Sequence, residues 1–306
     1  MVGPLHPLDR KLLRDLWHLR GQALAIGILI ACGVAIVIMS IGAMRSLEES
    51  RAVYYERYRF AHVFAGLKRA PERVAHEIAR IPGVAAVATR ISNYATLDIE
   101  GLTSPAVGRL LSLTDDGGGV NAIHLLEGRR PRPARDEVVL SQNIAAANGL
   151  GLGDTLKATI NGKRRELTIV GIALSPEFVF ILGPGQLVPD DRTFGILWMD
   201  RETLAAAYDL TGAFNDVAVR LMYGALVEDV IARLDTILDP YGGTGAYARE
   251  DQTSNAYLDQ ELQQLWTMAT IIPPIFLAVA AFLLNVIMSR LVATEREQIG
   301  LMTAFG

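Results

Sequence analysis

The sequence has one cysteine, Cys32, in 306 residues, so no internal disulfide holds any part of it and a disulfide scaffold is excluded. It has no excess of positive charge. Its 29 Lys and Arg stand against 33 Asp and Glu, a formal net charge of −4, which excludes a nucleic-acid binder driven by net basicity. The five histidines, at 6, 18, 62, 76 and 124, are scattered, with no His-x-x-x-His pair and no cysteine partner, so metal-ligand spacing is missing. Catalytic motifs are missing as well. Gly162-Lys163 is followed by Arg164 rather than by Ser or Thr, which breaks a phosphate loop. Gly149, Gly151 and Gly153 lack the spacing of a dinucleotide fingerprint and read as loop glycines. No Gly-x-Ser-x-Gly occurs, and Ser175 before Pro176 reads as turn chemistry. The acidic loop Asp115-Asp116-Gly117-Gly118-Gly119 offers too few oxygens for calcium. The expectation is a non-enzyme with no cofactor or metal of its own.

Apolar residues are abundant: 51% of the chain, against 20% charged, with a mean hydropathy of +0.27, which excludes intrinsic disorder. They are unevenly spread. Residues 21–44 are 24 positions without a charge, and 265–289 are another 25. The 220 residues between, 45–264, hold 23 Lys and Arg and 29 Asp and Glu, a net charge of −6. At about 1.5 Å per residue the shorter run reaches roughly 36 Å, enough to cross a hydrocarbon core of about 30 Å. The pattern is that of two membrane spans around one large water-facing domain. Arg10, Lys11, Arg14 and Arg20 precede the first span and Arg290 and Arg296 follow the second, so both ends belong in the cytoplasm and the acidic block is translocated. Leu29-Ile30-Ala31-Cys32-Gly33 fits a lipoprotein lipobox, but the apolar run continues 11 residues past Cys32 to Ala43 and the preceding basic region is long. Cys32 therefore reads as a small apolar residue inside a membrane helix.

Ala23, Gly27, Ala31 and Ala35 recur at spacing four, a small-residue stripe that lets helix backbones approach closely in lipid. Pro273-Pro274 should kink the second span near its outer end, and Asn285 in its inner half calls for a partner helix. Leu8, Leu12, Leu16 and Leu19 share a helical face apart from Arg10, Lys11 and Arg14, which suits an amphipathic helix on the membrane surface. The expected organisation is this amphipathic helix (1–20), a transmembrane helix (21–44), a stalk helix (45–58), an extracytoplasmic α+β domain (59–253), a second stalk (254–264), a second transmembrane helix (265–289) and a cytoplasmic segment (290–306).

Within the domain, short apolar runs alternate with helical stretches. A strand at 60–67 leads to a helix at 71–80, started by Pro71-Glu72 and stopped by Pro82-Gly83, and then a strand at 84–91. A strand at 194–199, a helix from about Asp200, a strand at 215–221 and a helix at 225–238 repeat the pattern at the far end. Together they suggest a split α+β module assembled from both ends of the block. Between them a β-rich insertion is expected at about 120–190. It contains strands at 137–140, 155–160 and 166–172, a short helix at 141–148 and an Asn161-Gly162 hairpin turn. The apolar segment 178–188, interrupted by Gly183-Pro184-Gly185, suits either partner contact or burial.

These residues carry a resemblance. The stretch VVLSQNIAAANGLGLGDTLKATINGKRRELTIVGIALSPEF (138–178) resembles the extracytoplasmic domain of MacB-like ABC transporter permeases, with a strand, a short helix, a Gly-Leu-x-x-Gly-Asp turn, a hairpin and a Val-Val-Gly-Ile-type strand in order. TEREQIGLMTAFG (294–306) resembles the segment after the second span of FtsX-like permeases, departing at Gln298, where Glu is usual, and at Thr303, where Arg is usual. HPLDRKLLRDLWHLRGQALAIG (6–27) is similar to the start of such permeases. The resemblance implies a type VII permease subunit in a bacterial inner membrane. It implies a cytoplasmic ABC ATPase as partner, which binds the ATP, beside a second permease copy or paralogue, membrane lipid and a periplasmic adaptor protein, and no nucleic acid. Glu295, Arg296, Ile299, Gly300 and Leu301 would then form the ATPase-coupling contact. The work implied is mechanical: substrate extrusion, lipoprotein extraction or control of an envelope enzyme. Family members carry at least two further spans after this segment, so the sequence is expected to be the first part of a longer permease. The alternative is a two-span membrane sensor with a periplasmic ligand-binding domain. Such a sensor should continue into heptads, which TEREQIGLMTAFG lacks.

Overall fold

The computed structural model describes residue 17 and residues 20–113 and 119–304, the side chains of 22, 23, 26, 291, 292 and 294–304 excepted. The expected amphipathic helix, Trp17 and Arg20 apart, and the acidic loop up to Gly118 thus lie outside the described residues. Six α-helices are described: α1 (Arg20–Arg57), α2 (Arg73–Ala79), α3 (Gln142–Asn148), α4 (Arg201–Ala207), α5 (Val227–Leu238) and α6 (Thr253–Ala304). Eleven strands accompany them: β1 (Val63–Pro71), β2 (Val84–Arg90), β3 (Ser92–Asp98), β4 (Ala106–Leu113), β5 (His124–Gly128), β6 (Glu137–Ser141), β7 (Thr155–Ile160), β8 (Lys163–Leu174), β9 (Phe194–Asp200), β10 (Ala213–Leu221) and β11 (Gly243–Ala248). Contacts divide the chain into two compact units, residues 50–260 and the flanking segments 1–49 with 261–306.

The flanking unit is built from α1 and α6, each long and apolar enough to cross a membrane, with mean hydropathies of 2.5 and 2.4 over their most apolar windows. α6 stays helical through Pro273 and Pro274. The two helices touch at Gly33, where a methyl group would lie 3.3 Å from Leu277 Cδ2, and Met44 and Ala280 are buried. Gly27, Ala31 and Ala35 are exposed, because two residues along a helix rotate the side chain by about 200°, carrying the stripe away from Gly33. Asn285 is exposed too and pairs with Ser289 one turn on, at 3.4 Å. The side chain of Ala23 lies outside the described set.

In the larger unit a four-stranded sheet runs β11-β1-β10-β2 with every neighbour antiparallel. This order joins β1-α2-β2 from the start of the unit to β10-α5-β11 from its end. Strand alternation sorts the two faces. Val63, Ala65 and Leu67 turn, with Val217 and Val219, towards Val74 and Ile78 of α2 and Val230, Leu234 and Leu238 of α5. Phe64, Ala88 and Ala218 turn the other way and meet Tyr55 and Phe60 at the end of α1. Pro71 closes β1 rather than opening α2: it pairs with Ala213, and Glu72 N still donates to Gly212 O at 3.1 Å, so sheet pairing continues past the proline.

Strands β3–β9 form a seven-stranded mixed sheet, β5-β8-β6-β9-β4-β3-β7, and a further β7–β8 pairing closes it on itself. The hairpin between β7 and β8 has the expected turn: Asn161 and Gly162 take φ of 47° and 75°, the two left-handed positions of a type I′ turn. Leu156, Ala158 and Ile160 alternate inward to meet Leu97, Leu110, Leu167 and Leu197, while Thr155, Lys157 and Thr159 face water. Two sequence expectations change here. The strand at 194–199 belongs to this sheet and not to the split module: all seven residues of β9 are buried, parallel to β4 and antiparallel to β6. A strand buried on both faces reads as a continuous apolar run wherever it sits, so its pattern does not name its sheet. The sheet also begins at Ser92, ahead of the 120 expected for the β-rich part.

Candidate functional site

The root of each long helix lies in the larger unit, and both roots enter one polar assembly. α1 ends in a Schellman-type turn: Arg59 takes φ +50°, Phe60 N donates to Tyr55 O at 2.8 Å and Arg59 N to Glu56 O at 3.1 Å. The next two carbonyls are held by Arg249, just ahead of α6. Its Nη2 donates to Phe60 O at 2.5 Å and its Nε to Ala61 O at 2.7 Å. The same guanidinium lies 4.9 Å from the Phe60 ring centroid and 5.6 Å from that of Tyr55. The roots also meet directly. Arg51 pairs with Asp259, Tyr55 OH donates to Asn255 Oδ1 at 3.0 Å, and Asn255 Nδ2 to Asp259 Oδ2 at 2.8 Å.

Beside the roots sits Glu177, in the short 3-10 turn Pro176–Phe178. Arg90 at the end of β2 grips its carboxylate twice, Nη1 to Oε2 at 2.5 Å and Nη2 to Oε1 at 3.0 Å, and Asn121 Nδ2 donates to Oε2 at 2.6 Å. Arg90 Nε also donates to Asp216 Oδ1 of β10 at 2.7 Å. Arg109 of β4 reaches Asp216 at 3.6 Å and lies 5.5 Å over the Phe178 ring. Two cations and two carboxylates thus balance at the seam between the sheets. Burial alone would raise the Glu177 carboxyl, but Arg90 outweighs it, with Arg109 and the Asn121 amide in support, and holds the group below the usual carboxylate range. Burial likewise opposes the charge on Arg90, and Asp216 and Glu177 override it. Among the described residues no buried side-chain nitrogen or oxygen lacks a hydrogen bond, which is what makes buried charge tolerable.

Both roots reach this carboxylate's residue. Asn121, held in a left-handed conformation at φ +58°, accepts from Ala61 N at 2.7 Å through its Oδ1. Gln252 Nε2 donates to Glu177 O at 2.8 Å, and Gln252 Oε1 accepts from Asn255 N at 2.8 Å, capping α6. Phe180 N donates to Ser254 Oγ at 2.8 Å, and the Phe180 ring stacks on Tyr257 with centroids 4.2 Å apart.

Of the residues expected from the sequence to carry function, Glu295, Arg296, Ile299, Gly300 and Leu301 fall on the last turns of α6, their side chains outside the described set. The segment 178–188 divides: Phe178 and Ile181 are buried, whereas Leu187 and Val188 are 89% and 71% exposed. No local pattern in the sequence marks Arg90, Asp216, Asn121 or Gln252. The one sequence signal is a carboxylate, Glu177, set inside the apolar run from Val170 to Ile181.

The larger unit is therefore an α+β domain whose polar junction takes in the root of each long helix. Residues 23–237 match the family model described as the MacB-like periplasmic core domain, over more than half of the chain. The chain belongs to that family and is a protein of the ABC transporter permease type. Solved structures that it resembles include the extracellular domain of the noncanonic ABC-type transporter YknZ from Gram-positive bacteria, at 11% identity, covering 61% of this chain and 98% of that one with a TM-score of 0.40. Another is the periplasmic region of MacB from Actinobacillus actinomycetemcomitans, at 11% identity, 68% and 95% coverage and a TM-score of 0.40. No curated protein matches the sequence.

Proposed function

We propose that the chain is a permease subunit that converts ATP hydrolysis by a separate cytoplasmic ATPase into mechanical motion of its extracytoplasmic domain. The observation that carries this reading is continuity. α1 and α6 run unbroken from their apolar stretches to Arg57 and from Thr253, and their roots are tied to each other by Arg51–Asp259 and Tyr55–Asn255. A hydrogen-bonded helix is stiff along its axis, so a push at one end arrives at the other. On this reading 21–44 and 265–289 cross a bacterial inner membrane, 45–58 and 254–264 are stalks, and the domain at 59–253 faces the periplasm. The segment 290–306 is cytoplasmic. Glu295 with Ile299, and Arg296 with Gly300, stand four apart on α6 in two adjacent pairs, with Leu301 next in sequence, a contact suited to a groove on the ATPase. A second permease copy has the exposed stripe of Gly27, Ala31 and Ala35, extended by Ala23, and the polar Asn285 to pack on. A periplasmic adaptor protein is a further partner for the domain.

Co-purification with an ABC ATPase tests the reading. Wild type should retain the ATPase, and Gly300→Trp should lose it while inserting in the membrane normally. Retention at wild-type level by Gly300→Trp, together with an N-terminus labelled from the periplasmic side, would overturn it.

A further inference from the structure

Glu177 has no task in the reading above, yet three elements converge on it. We propose that the Glu177 carboxylate is a latch: the segment 176–181, seated on the closed sheet, is held to the root of α6, and the latch fastens that segment to the root of α1 and to β2 and β10 across the seam between the two sheets. The inference rests on the chain being a transmitter of motion, and it names where the motion is held.

The division of bonds argues for it. Segment 176–181 is seated on the closed sheet by Phe178 and Ile181, which pack with Trp198, and is tied to α6 by its backbone and one ring. Gln252 Nε2 donates to Glu177 O, Phe180 N donates to Ser254 Oγ, and Phe180 stacks on Tyr257. The Glu177 side chain points to other partners. Arg90 of β2 carries it to Asp216 of β10, and Asn121 carries it to Ala61 N behind α1. A change in the spacing of the two roots therefore leaves the α6 ties intact and loads the carboxylate. Those contacts exclude water, with Glu177 at 3%, Arg90 at 7% and Asn121 at 8% exposure. A half-broken latch would leave buried charge uncompensated, so the latch is either closed or open, the kind of bistable contact that conformational switches use.

Amide hydrogen exchange on the full-length chain in nanodiscs tests it. Arg51→Glu sets a carboxylate against Asp259 and drives the roots apart at a pair that is 27% and 46% exposed, away from the latch. The expected result is exchange at Ala61 at least tenfold faster, with Phe180 unchanged. The swap Arg51→Glu with Asp259→Arg should restore the Ala61 rate, which a general loosening of the domain would not do. In Glu177→Gln, Ala61 should already exchange fast, and adding Arg51→Glu should change it less than threefold. Should Glu177→Gln fail to fold, the comparison of Arg51→Glu with the swap decides alone. Equal acceleration at Phe180 and Ala61, no acceleration at Ala61, or a full response in the Glu177→Gln background would each overturn the latch. Loss of the ATPase partner would sink the permease reading and leave these rates untouched, so the two failures are distinct.

Discussion

Arg90 and Glu177 meet as a two-pronged ion pair, at 2.5 Å and 3.0 Å, with side chains 8% and 4% exposed. Removing one partner of such a pair strands the other charge in a low-dielectric site, at a cost of about 3–5 kcal/mol. Arg90 also neutralises Asp216, so Arg90→Ala strands Glu177 and leaves Asp216 with the longer Arg109 pair alone, and should be the costlier single change. Replacing both partners by apolar residues, Arg90→Met with Glu177→Leu, should cost less than the two single changes summed. Chemical denaturation followed by near-UV circular dichroism measures all three.

Packing at Gly195 makes a second prediction. A methyl group there would stand 2.6 Å from Ile144 Cβ, so α3 lies against bare backbone of β9. Gly195→Ala should destabilise by about 1–3 kcal/mol through overpacking, and adding Ile144→Ala should recover part of it in the melting temperature.

The β7–β8 hairpin depends on two residues at positive φ, Asn161 and Gly162. Gly162→Val forces a branched side chain into that region, at a cost of roughly 1–2 kcal/mol. Gly162→Asn, which tolerates positive φ, should lose much less. Exchange at Ile160 and Lys163, paired across the turn, locates the damage.

Acid should weaken the domain in two stages. Burial, reinforced by Arg249 and Arg220, lowers His62 from 6.5 to about 4, and its Nδ1 accepts from Leu221 N at 3.1 Å. A depressed histidine is neutral when folded and takes up its proton more readily when unfolded. Its contribution is therefore complete above about pH 6.5 and is lost as pH falls towards 4. Hydrogen bonds from Arg129 hold Glu137 at about 2, so its contribution is present above about 4.5 and is lost between there and about 2. A pH series of melting temperatures should show both stages, with His62→Gln removing the upper and Glu137→Gln the lower.

Legibility from the sequence followed the range of the interactions. The turn at Asn161-Gly162 and α3 at Gln142–Asn148 stand where the pattern set them, because their determinants are neighbours in the chain. Strands β3 and β4 escaped because Gly108 and Arg109 interrupt one apolar pattern and Ser92, Asn93 and Thr96 another, while the sheet around them supplies the pairing. The apolar pattern at 194–199 marks β9 as a strand but does not say which sheet it joins. The coupling residues from Glu295 to Leu301 rest on likeness to a family motif and fall on the last turns of α6.

By itself the sequence determined two uncharged runs long enough to be spanning helices, a water-facing block between them and the local elements of a split module. Each of these is set by composition or by a period a few residues long. Only the tertiary structure decided that α1 and α6 touch through Gly33 rather than through the alanine stripe, that β9 lies in the closed sheet, and that Glu177 joins both helix roots to the seam. The physical reason is separation. Arg90 lies 87 residues from Glu177 and 126 from Asp216, and Glu177 lies 75 from Gln252, so no local pattern records that their charges and amides meet in one buried place.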